Sequence, residues 1–362
     1  MGDVSQIRAW SEAEFASSRA AWQALLEKSD ADPLFMSWDW QWRWWQGHAS
    51  ALSAQLYLVA TYGPDGALIG LAPFYLHVVK SRALLSSRRL ELIGIAWRND
   101  GPAFSEYLDL VAARGSEDAV IESVANWLRL QDFWQDLTFA GIRENSHAAR
   151  LARDHLRPMA YVRDADPMVA YRATLPAAFS TYVESLGSST RRRLFSQRRK
   201  LSEVTLSYAN ADEVGEYLEL LWRFKAGRWS ARHEPEGVRR FHIEFATEMA
   251  RTSRLYLTRL SSRNKTLSVM YNVRMGDTEY YLQSGFDVEG ASGISFGYLH
   301  FGYAIEKACE DGVAHFDFLG GQGLNRDYKR DLATEPTQLV CYHAIRAPLL
   351  RALHTAYDSV RH

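Results

Sequence analysis

Residues 298–330 read YLHFGYAIEKACEDGVAHFDFLGGQGLNRDYKR. Tyr298, Phe301, Ile305, Ala308 and Cys309 recur at helical spacing, with Glu306, Lys307, Glu310 and Asp311 on the opposite side. An amphipathic helix is predicted, followed from Gly312 by a short apolar strand that runs into Gly320, Gly321 and Gly323. Those glycines do not form G-x-G-x-x-G, so a dinucleotide fold is not expected.

Upstream, a helix ADEVGEYLELLWRFKAGRWSAR precedes a strand RLYLTRLS, a polar turn SRNK, and strands TLSVMYNVRM and TEYYLQSGF. The first half has the same order. Helical patterning covers Ser11–Lys28 through Phe15, Trp22, Leu25 and Leu26, and Ser37 caps a helix carrying Trp38, Trp42 and Trp45 on one face. Strands AQLYLVATY and ALIGLAPFYLHVV flank the turn GPDG, which marks a hairpin. A helix DAVIESVANWLRL and a strand DLTFAGI complete the pattern. The fold class expected is α/β (α+β), with two tandem modules, each a mixed, mostly antiparallel sheet flanked by helices. RDADP and TLP mark the change, which gives modules 1–165 and 166–362.

The length of 362 residues suits two domains, and 47% hydrophobic with 23% charged residues is a globular composition. A net charge of −1 draws the chain toward neither nucleic acid nor an anionic membrane. Cys309 and Cys341 are too few for a disulfide framework, and two reduced thiols fit a cytoplasmic protein. The N-terminus lacks an apolar signal region, and Gln6 stands where myristoylation wants Ser or Thr. No run reaches the length of a membrane span. The 46 aromatic residues (12 Trp, 18 Tyr, 16 Phe) suit a large-residue core or an apolar cleft.

Six of the twelve residues Thr190–Leu201 are basic, each repeated after seven, which predicts a helix with a narrow apolar stripe and a wide cationic face. That face is either solvated or a contact for phosphates. Gly293, Ser295 and Gly297 match the nucleophile motif G-x-S-x-G, but the spacer after the strand is too long for a strained elbow. The alternative use is anion binding. Loop 290–297 opens a helix whose first N–H groups and dipole suit a pyrophosphate. The eleven histidines show no metal-ligand spacing, so no metal is expected.

The second half resembles the acetyltransferase domain of the BioF2/CelD-like group, within the GNAT superfamily and related to the FemABX-type transferases. The resemblance rests on TRRRLFSQRRKL, FKAGRWSAR, YYLQSGFD and AIEKACEDGVAHFDFLGGQGLNRDYKRDL, about residues 178–332. FMSWDWQWRWW and SEYLDLV are similar to the family's N-terminal part. Two departures stand out: NKTLSVMY replaces a Gly-x-x-x-Ala step, and GGQGLNRDYK is longer than the usual ending.

The resemblance implies tandem GNAT-like modules and transfer of an acyl group from acyl-coenzyme A, as co-substrate, to an amine. A splayed strand near Tyr280 and Gly285 would polarise the thioester carbonyl, and Gly293, Ser295 and Gly297 would hold the pyrophosphate. Asp317, Tyr328 and Lys329 are the catalytic candidates, delivered by the turn after the last core strand, with Asp109 and Glu106 as alternative bases. A structural hydrogen-bonding role for Asp317 stands beside the catalytic one. Arg228, Trp229 and Tyr107 are candidates for the acceptor site. The implied acceptor is an amino sugar of an exopolysaccharide or a sphingoid base. The alternatives are an aminoacyl-tRNA-dependent transferase on a cell-wall precursor and a serine hydrolase using Ser295. Nucleic acid is not favoured as a partner; a cytoplasmic protein with peripheral membrane contact is expected.

Overall fold

A computed structural model describes residues 6–80, 86–99, 103–229, 234–288, 293–320 and 324–352. Contacts gather the chain into two compact units, Met1–Met168 with Gln338–His362, and Val169–Thr337. The chain changes unit at 168/169 rather than 165/166. Its last segment returns to the first unit instead of staying in the second, for a reason given below.

The first unit opens with β1 (Gln6–Ala9), α1 (Glu12–Ser17), α2 (Arg19–Glu27) and α3 (Trp38–Leu52). The single helix expected over 11–28 is two. Ser11 and Glu14 form a capping box at the start of α1, and Ser18 interrupts the run by bonding back to the Phe15 carbonyl at 2.9 Å. Ser37 caps α3 by accepting the Trp40 N–H. Trp40 and Trp44 are the deepest indoles of that helix; Trp42, expected on the core face, is only half-buried. Burying an indole requires an acceptor for its N–H. Trp22 donates to the Met36 carbonyl, Trp38 to Phe15, Trp40 to the Ser105 hydroxyl and Trp44 to Ala103, each at 2.8 Å.

Next come β2 (Gln55–Tyr62), β3 (Leu68–Lys80), β4 (Ser86–Leu92), β5 (Val111–Ala112), α4 (Glu117–Leu130), β6 (Asp136–Arg143), α5 (His147–Arg150), a π-helical turn (Leu151–Leu156) and β7 (Tyr161–Asp164). Strands β1 to β4 are antiparallel neighbours, and β6 runs parallel to β4 after the α4 crossover.

The second unit contains β8 (Met168–Thr174), α6 (Phe179–Ser185), α7 (Ser188–Leu194), a 3-10 turn (Ser196–Lys200), β9 (Val204–Tyr208), α8 (Val214–Trp229), α9 (Glu236–Arg251), β10 (Leu255–Ser262), β11 (Lys265–Met275), β12 (Thr278–Phe286), α10 (Phe296–Glu310), β13 (His315–Gly320) and α11 (Leu324–Leu332). Its sheet order is β9-β10-β11-β12-β13-β8. Every neighbour pair is antiparallel except β12 and β13, which the α10 crossover makes parallel. From β1 and from β9 onward both units thus run strand, helices, three antiparallel strands, crossover helix and parallel strand; β5 in the first and β8, α6 and α7 in the second have no counterpart. Finally β14 (Glu335–Ile345) pairs antiparallel with β6, from Leu339↔Arg143 to Ile345↔Asp136, which is why the last segment belongs to the first unit.

Two further expectations are corrected. The basic segment is not one helix: α7 ends at Leu194, Phe195 takes a non-helical conformation, and a 3-10 turn follows. Tyr328 and Lys329 lie within helix α11 rather than on the turn after β13.

Alternate residues of a strand face opposite sides, and this sorts the helices of the second unit. Tyr271 faces His242 of α9, whereas Met270 lies in the cluster with Tyr182 of α6, Phe301 and Ile305 of α10, and Leu332 of α11. Helix α10 is tied down along its length. A Cβ at Gly302 would overlap the Leu194 carbonyl, so α7 crosses α10 at contact distance there. At its far end Asp311 meets Arg274 at 2.7 Å, and Arg274 meets the buried Glu279 at 2.6 Å.

His300 of α10 is fully buried, with its ring nitrogens 2.8 Å from the Thr258 hydroxyl and 2.7 Å from that of Ser268. Burial pushes its pKa from 6.5 down to about 3. The folded chain therefore binds fewer protons here than the unfolded chain between those values, so stability falls as pH drops from 6.5 toward 3. Melting temperatures of wild type and His300→Gln across that range are expected to converge as pH falls, because the variant lacks this term. A constant difference would contradict the buried neutral imidazole.

Candidate active site

Strands β12 and β13 pair over only three positions, Thr278↔His315, Glu279↔Phe316 and Tyr280↔Asp317. Beyond Tyr280, β12 continues along β11 to Ser268↔Phe286, while β13 continues along β8 to Gly320↔Ala170. Among the described residues no strand pairs with β12 on the β13 side past that point. Two bulges accompany the divergence. On β12 the register jumps from Asn272↔Tyr281 to Tyr271↔Gln283, leaving Leu282 without a partner on β11. On β13 it jumps from Asp317↔Arg172 to Leu319↔Tyr171, with Leu319 at φ +60°.

The start of α10 lies at the same end of β12. Gln197, from the 3-10 turn, holds the approach to this helix: its amide nitrogen donates to the Gly293 carbonyl (3.1 Å) and its oxygen accepts the Ser295 N–H (2.9 Å). Gly293 has φ +71°, and Gly297 stands where a Cβ would be 3.4 Å from the Phe286 ring. Gly285 is required by packing, because a Cβ there would lie 2.9 Å from Cβ of Phe224 on α8. Positions 289–292 lie outside the described residues, so the expected loop 290–297 is described only from Gly293. The side chains of Arg228 and Trp229, at the end of α8, also lie outside them.

Asp317 is 4% exposed and accepts the Leu319 N–H at 2.7 Å, which supports the bulge on β13. Lys329 is 6% exposed. Its Nζ reaches from α11 to the carbonyls of Gly320 and Leu319 and lies 5.7 Å from the centre of the Tyr281 ring. Tyr281 shares a 2.7 Å hydrogen bond with Ser284, bracketing the bulged Leu282. Tyr328 packs its ring against Phe301 (5.8 Å) and Tyr298 (6.4 Å). On the other face of β12, Gln283 bonds Lys225 (3.2 Å) and the His242 ring (3.1 Å), and Lys225 pairs with Glu234 at 2.7 Å. Tyr280, Asp317, Lys329, Tyr281 and Ser284 are thus gathered where the two strands part.

Gln197, Tyr281, Ser284 and Gln283 were not singled out from sequence. No sequence signal marked them: adjacent buried residues such as Tyr280 and Tyr281 are ordinary in a strand with helices on both faces, and the bulge at Leu282 shows only in the register.

Glu106, Tyr107 and Asp109 belong to the first unit and are buried there. Asp109 accepts the N–H groups of Leu110, His147 and Ala148 at 2.6–3.1 Å, which fixes the start of α5, while burial pushes its pKa up. Tyr107, at φ +58°, lies under the Arg143 guanidinium at 4.2 Å. These residues fill the position that corresponds to the divergence in the second unit. Strand β4 also pairs parallel over three positions, Arg89↔Asp136 to Glu91↔Thr138, and then stops at Leu92. The chain beyond it bonds both borders of the gap: Ile93 and β5 to β3, and the Tyr107 N–H to the Gly141 carbonyl of β6 at 2.8 Å.

Other chemistries find less here. Among the described residues the Ser295 hydroxyl has no hydrogen bond to a histidine; His343 belongs to the first unit, 3.4 Å from Asp136, and His354 lies outside the described residues. Burial pushes the Cys309 thiol up to about 11 and Cys341 to about 12. Among the described residues no group of three His, Cys, Asp or Glu could hold a metal, and no helix is long and apolar enough to cross a membrane.

Residues 188–330 match the family described as the acetyltransferase (GNAT) domain. The region spans α7 to α11 and so contains the divergence, α10 and Lys329. The chain therefore carries the domain of an acyltransferase, which makes it an enzyme of that class. No curated protein matches. Among solved structures, FemX is similar at 11% identity and TM-score 0.60, over 96% of this chain and 99% of that one. The C-terminal domain of a putative lysylphosphatidylglycerol synthetase from Agrobacterium fabrum is similar at 10% identity and TM-score 0.55, over 97% and 96%. L-PGS from Bacillus licheniformis is similar at 13% identity and TM-score 0.51, over 93% and 95%. At such identities these likenesses show the fold alone.

Filling of the gap in the first unit predicts a single donor site per chain. Titration calorimetry with an unreactive acyl-thioether analogue is expected to give one site. Two equivalent sites would contradict the filled gap.

Proposed function

We propose that the second unit transfers an acyl group from a coenzyme A thioester to an amine. One observation carries this reading: β12 and β13 part after Tyr280↔Asp317, beside a helix start and a buried lysine. Backbone N–H groups of β12 that lack a strand partner are fixed dipoles, able to stabilise an oxyanion without reorganising. The first turn of α10 has N–H groups without helical acceptors and the positive end of the dipole, where a pyrophosphate is favoured.

In the reaction the amine nitrogen attacks the thioester carbonyl, and the carbonyl oxygen takes the negative charge toward β12. Collapse breaks the C–S bond and expels a thiolate. Lys329 supplies positive charge near that sulfur, and Tyr281 or Tyr328 supplies the proton. The proton lost by the amine passes to Asp317 or through water. Asp317 also holds the β13 bulge, so its two candidate roles are joined in one side chain.

The resemblance to the BioF2/CelD-like group supports an amino sugar of an exopolysaccharide or a sphingoid base as acceptor. Such acceptors suit a cytoplasmic enzyme working against a membrane surface. A second reading, transfer from aminoacyl-tRNA to a cell-wall precursor, follows from the resemblance of the sequence to the FemABX-type transferases.

Acyl-CoAs from acetyl to palmitoyl are expected to raise the melting temperature, and an amine acceptor to trigger thiol release. Lys329→Met is expected to lower kcat by roughly 10²–10³ while changing KM little, because it removes charge stabilisation late in the reaction. Absence of both stabilisation and thiol release across the series would overturn the coenzyme A reading.

A further inference from the structure

The six cations of the segment from α7 to the 3-10 turn are divided by the fold. One side is committed to α10. Arg193 stands 4.0 Å over the Tyr298 ring and 3.6 Å from Asp331. Arg198 pairs with Glu306 at 2.6 Å and covers the Tyr303 ring at 3.9 Å. Leu194 is buried against Gly302, and Gln197 grips Gly293 and Ser295.

The other side has no such commitment. Arg192, Arg199 and Lys200 are exposed and Arg191 is half-buried; among the described residues none of the four has a carboxylate partner. Amid them Phe195 is 42% exposed. Its ring sits at the break between the two helical turns, 5.0 Å from the Arg198 guanidinium. The result is a short cationic ridge with an apolar centre, anchored through Gln197 to the start of α10.

We propose that this ridge docks an acidic acyl carrier protein, which presents its acyl-phosphopantetheine thioester to the divergence of β12 and β13. The inference rests on the thioester-dependent reading of the second unit and names the donor's carrier. Position is the first argument: the ridge is one side chain away from Gly293 and Ser295, so a carrier seated on it is beside the donor helix. Charge is the second. Four uncommitted cations would steer and orient an acidic partner, and the exposed Phe195 offers a central apolar anchor. Extent is the third. The seven residues of α7 and five of the 3-10 turn span roughly 20 Å, a match for one helix of a small protein. An RNA donor would call on a wider basic surface, which the net charge of −1 does not add to these four cations.

The test compares two donors with the same acyl chain, palmitoyl acyl carrier protein and palmitoyl-coenzyme A, on the full chain with an amine acceptor. The triple variant Arg192→Glu/Arg199→Glu/Lys200→Glu is expected to lose about tenfold or more in kcat/KM for the carrier donor, with the coenzyme A donor changed less than about threefold. About 0.5 M salt is expected to reproduce the same selective loss in the wild type. Phe195→Ser, which leaves every charge in place, is expected to weaken the carrier donor selectively as well. Equal losses for both donors, or none for either, would overturn the proposal while leaving thioester transfer intact. So would loss of tRNA or anionic-vesicle binding with carrier turnover unchanged. No turnover with either thioester would overturn both readings.

Discussion

The second unit depends on the pairing of Tyr280 with Asp317 and on its ending there. A parallel pair joined by a helical crossover normally continues until one strand runs out. Here both strands go on, each along its other neighbour, and the bulges at Leu282 and around Phe318 turn them apart. The separation is held by buried side chains. Asp317 bonds the backbone of its own bulge, and Lys329 caps the carbonyls at the end of β13. Past Tyr280, among the described residues, no strand lies along β12 on that side, and backbone groups on such an edge favour a polar partner.

The first unit shows the other outcome of the same topology. Its parallel pair is also three residues long, but the chain after β4 closes the opening with its own backbone and with Ser105, Tyr107 and Leu108, all buried. Asp109 and Glu106 thereby become part of an interior. One unit of the tandem is built around a gap and the other around the segment that fills it.

Much of the fold was legible because its signals are local. Hairpins announce themselves through turns such as Arg263-Asn264, both at positive φ, and α10 through the spacing of Phe301, Ile305 and Ala308. What remained hidden depends on partners distant in sequence. Nothing in β14 says that it pairs with β6, nearly 200 residues upstream, and nothing in a run of arginines marks Phe195 as a break. The polar NRDYKRDL conceals a helix whose Lys329 turns inward. Asp317, Lys329 and Tyr280 drew attention through family resemblance and the glycines before α10 through their place at a helix start, whereas Gln197 and Ser284 became visible only from their contacts.

Hydrogen–deuterium exchange with and without an unreactive acyl-thioether analogue of the donor tests the central claim most directly. Peptides covering Tyr280–Phe286 and the start of α10 are predicted to gain protection together, with Ile93–Val111 of the first unit unchanged. Protection confined to the first unit, or none along β12, would contradict the account.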